Sequence, residues 1–322
     1  MIELNRSYLP SKTPPMFSPL KTMNRTLATS ALIAAAFVSV GLTSASAADY
    51  YLRQSQSQGH HWGTTTAGNL NSWHTTPSGT AVQLTAMDPD GHYYTNGFVV
   101  RSPENSATNV FGGAKLILNG GGLSLKTTNG SALASVGWLE TQGTATITAA
   151  NANGQYHSLL ATTFDLGGTT NFTAAATRSF NLTFSDLNGT GSMVFAGGAT
   201  SSNFNLHIAN AADFSGTFSL TGGTLRLSND LTAANASLSI SSGTLVNLTH
   251  SVTVSSLSIA GNTLADGTYS YATLNNTYGD IFTAGSIENG QIVVGAIPEP
   301  STAAALAGLG VLGLACLRRR RQ

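Results

Sequence analysis

The side chains best suited to chemistry gather between residues 60 and 92. They are His60, His61, His74 and His92, with Asp88 and Asp90 in the turn Asp88-Pro89-Asp90-Gly91. Imidazole and carboxylate are ligands for zinc or copper, but a site needs them to converge. No two of these histidines stand at i, i+2 or i, i+4. Asp88-x-Asp90-Gly matches a fragment of a calcium loop and lacks the remaining oxygen ligands. The reading is therefore loop histidines and a surface turn, with no metal and no cofactor. Four aromatics in the same region, Trp62, Trp73, Tyr93 and Tyr94, are the candidate glycan contacts. If exposed, they would form a flat platform with polar edges.

Catalysis finds little purchase elsewhere. Between Ala48 and Ala296 the acids are scattered, and those of the repetitive region sit at strand ends or corners, as Asp186 and Asp230 do. Paired carboxylates, a G-x-S-x-G elbow and an H-E-x-x-H helix are all missing. Gly308-Leu309-Gly310-Val311-Leu312-Gly313 satisfies a dinucleotide-binding pattern, but no strand precedes it and no acidic residue follows. No catalytic residue is assigned, and the expectation is a protein that is not an enzyme. A polysaccharide-degrading enzyme on a β-helix is the sharper alternative.

Composition sets the class. Only 9% of the 322 residues are charged, against about a quarter in ordinary soluble proteins. Ala48 to Ala296 holds 6 basic and 12 acidic residues, a net charge of 6 negative that formal neutrality of the whole chain conceals. That sign argues against a phosphate-binding surface, so nucleic acid is excluded as a partner. The single cysteine, Cys316, lies in the tail, so disulfides and thiol chemistry are absent from the body.

The ends are targeting segments. Residues 1–22 are polar, carry four prolines and suit a mis-assigned start or a disordered leader. Residues 23–47 have Arg25 in a positive n-region, the apolar run Leu27 to Leu42, and small residues at Ala45 and Ala47. This is the plan of a signal peptide, read by the Sec translocon and cut by signal peptidase. At residues 297–322, Pro298-Glu299-Pro300 precedes an apolar run, Ala303 to Leu317, and then Arg318, Arg319, Arg320 and Arg321. Two prolines hold the carboxylate extended and exposed. The run is expected to form a transmembrane helix, and the arginines to act as a membrane stop held inside. Fifteen residues of helix cover about 22 Å, short of the ~30 Å hydrocarbon core, which suits temporary residence.

Between the ends the chain repeats. Alternating runs such as Phe180-Asn181-Leu182-Thr183-Phe184 and Asn203-Phe204-Asn205-Leu206-His207-Ile208 put one face inward and one outward in strands. Corners such as Gly167-Gly168-Thr169, Gly197-Gly198, Gly222-Gly223-Thr224 and Ser242-Gly243-Thr244 separate them. Intervals of 30, 25 and 21 residues between Gly167, Gly197, Gly222 and Gly243 point to a solenoid. The predicted fold is all-β, a right-handed parallel β-helix. Residues 48–110 form its N-terminal cap, 111–256 its coils and 257–296 a hairpin-rich C-terminal cap. No helix is expected from Ala48 to Ala296, and a β-sandwich is the structural competitor.

Two resemblances follow from these residues. The tail, with its Pro-Glu-Pro motif, apolar run and arginine cluster, resembles the PEP-CTERM sorting signal. That resemblance implies processing by the membrane peptidase exosortase, in bacteria that often make exopolysaccharide. It further implies transfer to the cell surface, outer envelope or extracellular matrix. Asp213-Phe214-Ser215-Gly216-Thr217-Phe218-Ser219-Leu220-Thr221-Gly222-Gly223-Thr224-Leu225-Arg226-Leu227 resembles the autotransporter-associated β-strand repeat. This implies a β-helical passenger and carries no activity. Together they imply a structural or adhesin-like surface protein, with a polysaccharide-binding module as the other reading.

Overall fold

The computed structural model describes residues 46–55, 62, 70–80, 82, 84–104, 108–126, 131–150, 156–174, 179–198, 203–283 and 289–295. Among them, strands stack into a 12-stranded and an 11-stranded sheet, dominated by parallel neighbours. The chain alternates between the two. Ser131–Gln142, Tyr156–Leu166, Ser179–Gly189 and Asn203–Asn210 follow one another in the first sheet. Thr144–Ala149, Thr169–Ala174, Ser192–Gly197 and Thr217–Gly222 follow one another in the second. Each circuit lays one more rung on both sheets, which makes the body a β-solenoid. A β-sandwich is excluded, because its sheets are antiparallel.

Register gives the true repeat. Thr144 pairs with Thr169, Thr169 with Ser192, Ser192 with Thr217, Thr217 with Ser237, and Ser237 with Ser256. The intervals are thus 25, 23, 25, 20 and 19 residues. Gly167 precedes the strand Thr169–Ala174 whereas Gly197 ends the strand Ser192–Gly197, so the 30-residue interval between them joins two different corners. The equivalent corner glycines are Gly168, Gly191 and Gly216. Thr169, Ser192 and Thr217 donate backbone N–H groups to the carbonyls of Gly143, Gly168 and Gly191, one rung below, at 2.8, 2.9 and 3.0 Å. A Cβ at Gly168, Gly191 or Gly216 would collide with that same carbonyl. These glycines serve close approach of the rungs, whereas Gly143 (φ +69°) and Gly223 (φ +84°) supply a left-handed turn.

Alternation fills the interior. In Tyr156–Leu166 the buried positions are His157, Leu159 and Ala161, then Phe164 and Leu166. That change of phase occurs around Thr162, which drops out of the pairing along with Gly137 and Ser185. The strand bends there, so the first sheet presents two outward faces. Inside, Phe172 stacks on Phe195 (5.5 Å between centroids, 21°), Phe164 lies 4.9 Å from Phe184, and Phe180 lies 6.3 Å from Phe204. One continuous apolar core runs the length of the body, as expected where each rung buries its face only against its neighbours.

Both ends depart from the sequence reading. The parallel ladder extends N-terminally beyond Phe111: Asp49–Leu52 pairs in parallel with His92–Tyr94, and that strand with Lys115–Asn119. The antiparallel strand Trp73–His74 covers the outer edge of Asp49–Leu52, so the capping element is far smaller than residues 48–110. At the C-terminal end, Asn262–Leu264 and Gly267–Ser270 add antiparallel pairs. They protect strand edges that would otherwise template association. Between them and the final strand stands the helix Tyr271–Thr277, which corrects the expectation of no helix. Ser270 caps it by accepting from the Thr273 N–H (3.2 Å), and Tyr271 and Leu274 bury its inner face. Among the described residues no helix is long and apolar enough to cross a membrane. The apolar runs Leu27 to Leu42 and Ala303 to Leu317 lie outside them.

Candidate functional site

Three of the four aromatics chosen as glycan contacts are interior. Trp62, Trp73 and Tyr93 are each 0% exposed. Trp62 and Tyr93 both meet Phe111 edge-on at 5.3 Å, and Trp73 meets Tyr93 edge-on at 5.1 Å. The Trp62 Nε1–H donates to the Asn109 carbonyl (3.1 Å). Tyr93 Oη accepts from the Asp88 N–H (2.6 Å) and donates to the Asp88 carbonyl (3.2 Å). Burial pushes its phenol pKa far upward. These rings plug the first coils, where the apolar cross-section would otherwise be open, so they form no platform. The polar edges of Trp62 and Tyr93 find backbone partners, which is how such rings become buried.

Tyr94, the fourth, is outward and half-buried. It stacks on Tyr51 (5.1 Å, 19°). Its phenol is raised first by burial, then by the charges of Asp49, Tyr51 and Glu140. It belongs to an outward face that composition did not single out. Register aligns Tyr51, Tyr94, Ile117, Glu140, Asp165 and Asn188 in one column of that face. In the adjacent column Lys115, Trp138, Thr163, Asp186 and Asn210 are aligned.

This face is densely bonded. Lys115 pairs with Glu140 and sets its ammonium 3.8 Å from the centre of the Trp138 ring. The Trp138 Nε1–H donates to Asp165 Oδ2 (2.6 Å), and Asn188 Nδ2 donates to Asp165 Oδ1 (3.0 Å). Asn210 Nδ2 donates to Asp186 Oδ1 (3.0 Å). Trp138 remains 41% exposed. A signal for it existed in the sequence: Trp138 and Glu140 flank the inward Leu139, so alternation alone places both outside. The neighbouring face carries a quieter ladder, in which Asn205 donates to Asn181 (2.7 Å) and Asn181 to Ser158 (3.2 Å).

The metal candidates are dispersed. His60 and His61 lie outside the described residues. His92 stands 3.7 Å from Asp49, and Asp88 closes its own turn by accepting from the Asp90 N–H (3.0 Å). Among the described residues no three histidine, cysteine or carboxylate side chains cluster.

The targeting residues frame the body. Ala45, Pro298, Glu299, Pro300 and Arg318 to Arg321 lie outside the described residues. Ala47 leads directly to the first strand at Asp49. The body thus defines a surface-bearing β-solenoid. Residues 296–321 match the PEP-CTERM protein-sorting motif. That tail indicates export and exosortase-dependent sorting to the cell surface, with exosortase as the processing enzyme. No curated protein and no solved structure matches the chain.

Proposed function

We propose that this chain is a structural, adhesin-like component of the bacterial surface or extracellular matrix, delivered by exosortase and released from a transient anchor. The observation that carries the reading is the match of residues 296–321 to the sorting motif, attached to a β-solenoid body. In this account the signal peptide is cut after Ala47. Ala303 to Leu317 then holds the chain in the inner membrane, with Arg318 to Arg321 inside. Pro298-Glu299-Pro300 stands outside, within reach of the peptidase.

The body serves as a spacer whose outward serine, threonine and asparagine rows hydrate in the matrix. A right-handed coil is the expected sense, since parallel crossovers in one sheet overwhelmingly take that hand. The segment Asp213 to Leu227 supports the kinship with autotransporter-associated repeats. It supplies the corner Gly216, the strand Thr217–Gly222, the turn at Gly223 and the strand Thr224–Leu227. No catalytic role is proposed. Deleting Pro298 to Pro300 is expected to leave full-length protein in the inner membrane, seen by fractionation and immunoblot. Normal processing of that variant would refute the sorting mechanism.

A further inference from the structure

We infer that the outward face built around Trp138 binds a polysaccharide lacking acidic groups, with the indole as its stacking platform. This goes beyond the sorting reading and does not depend on it.

The first feature is placement. Most large aromatics of the body are core, whereas Trp138 is 41% exposed in the middle of a strand. The second is preorganisation. Its N–H is fixed by Asp165 and its ring is held by Lys115, so ordering the platform costs a ligand little. Asp165 is fixed in turn by Asn188, and Asp186 by Asn210. Carboxylate acceptors and amide donors thus stand on successive rungs, about 4.8 Å apart, a spacing close to the length of a pyranose ring. Side chains of this kind accept from and donate to vicinal hydroxyls.

Charge selects among glycans. Lys115 is committed to Glu140, and among the described residues Asp165 and Asp186 have no ion-pair partner. The face is therefore anionic at neutral pH. It would repel a polyuronate and accept neutral or amine-bearing sugars.

The test is a co-sedimentation series with the protein purified from the cell surface, or with the full chain in detergent should the tail be retained. The probes are insoluble glucan, chitosan and an alginate gel, run at low and moderate salt. The expected result is binding to glucan or chitosan and none to alginate. Trp138→Ala should weaken that binding about tenfold, the scale of one lost aromatic contact. Trp138→Phe, which keeps a smaller aromatic face and loses the pyrrole ring and the N–H bond to Asp165, should fall between the parent and Trp138→Ala. Unfolding curves on both variants separate lost contact from lost fold. The inference is overturned by binding to alginate, alone or alongside the others, by binding to none of the three, or by a Trp138→Ala variant that folds and binds like the parent. Each of those outcomes leaves the sorting reading standing, because tail processing is not measured.

Discussion

The glycine corner makes the strongest quantitative demand on this structure. Replacing Gly216 with alanine adds one methyl group, which would fall well inside van der Waals contact of the Gly191 carbonyl oxygen and 2.7 Å from the Phe214 ring. The oxygen cannot retreat, because it accepts from the Thr217 N–H at 3.0 Å, while Gly191 itself is tied to Leu166 at 2.8 Å. Gly216 is held from the other side by the Ser237 N–H, 2.9 Å from its carbonyl. A rung forced outward loses the Thr217 bond. Leaving that pair unsatisfied costs about 1–3 kcal/mol, and crowding Phe214 adds about 1–3 kcal/mol. Together the expected loss is about 2–6 kcal/mol. Gly198→Ala is the control, since a Cβ there meets nothing within 4 Å, and its effect should stay within about 0.5 kcal/mol. Urea unfolding followed by far-UV circular dichroism reads both as midpoints, with the slope checking that the unfolded state is unchanged. Equal midpoints for Gly216→Ala and Gly198→Ala would refute the close-approach argument.

Three further outcomes follow from the interior. Phe172→Ala removes a 0% exposed ring stacked on Phe195 and should cost about 3–5 kcal/mol by the same unfolding assay. Thr170→Val should instead stabilise by about 1–2 kcal/mol, because the buried Thr170 hydroxyl has no hydrogen-bond partner among the described residues and valine suits a strand. Alkaline pH should loosen the N-terminal coils. Burial raises the phenols of Tyr93 and Tyr50, so above about pH 10 the unfolded chain releases protons that the folded chain retains. Stability is then full below that pH and falls as pH rises past it. The midpoint measured from pH 9 to 11 should decline less steeply in Tyr93→Phe.

The parts legible in the sequence were those written in local alternation. Phe180, Leu182 and Phe184 are all inward, as every-second-residue spacing requires, and parallel coils followed from repeats too short for a sandwich. The sorting tail was legible because proline, apolar length and arginine charge act without tertiary context. Register was not, because glycine serves two purposes at these corners. Gly143 and Gly223 turn the chain with positive φ, whereas Gly191 and Gly216 admit a neighbouring carbonyl, and composition shows no difference. Trp62, Trp73 and Tyr93 looked exposed among polar neighbours, yet they close the end of the core, where large rings fill a cross-section that Leu and Phe fill elsewhere. The helix Tyr271–Thr277 is too short for a periodic signal and depends on the Ser270 cap and the burial of Tyr271 and Leu274. Trp138 was readable from alternation, but its importance arises from partners 23 to 27 residues away, Lys115 and Asp165.

In the proposed function a β-solenoid body is exported, sorted and freed from its anchor. Intact mass of the protein recovered from the cell surface tests it most directly. The expected species begins near Ala48 and ends near Pro298. A species that retains Arg318 to Arg321 would contradict it and make the chain a permanent single-span membrane protein.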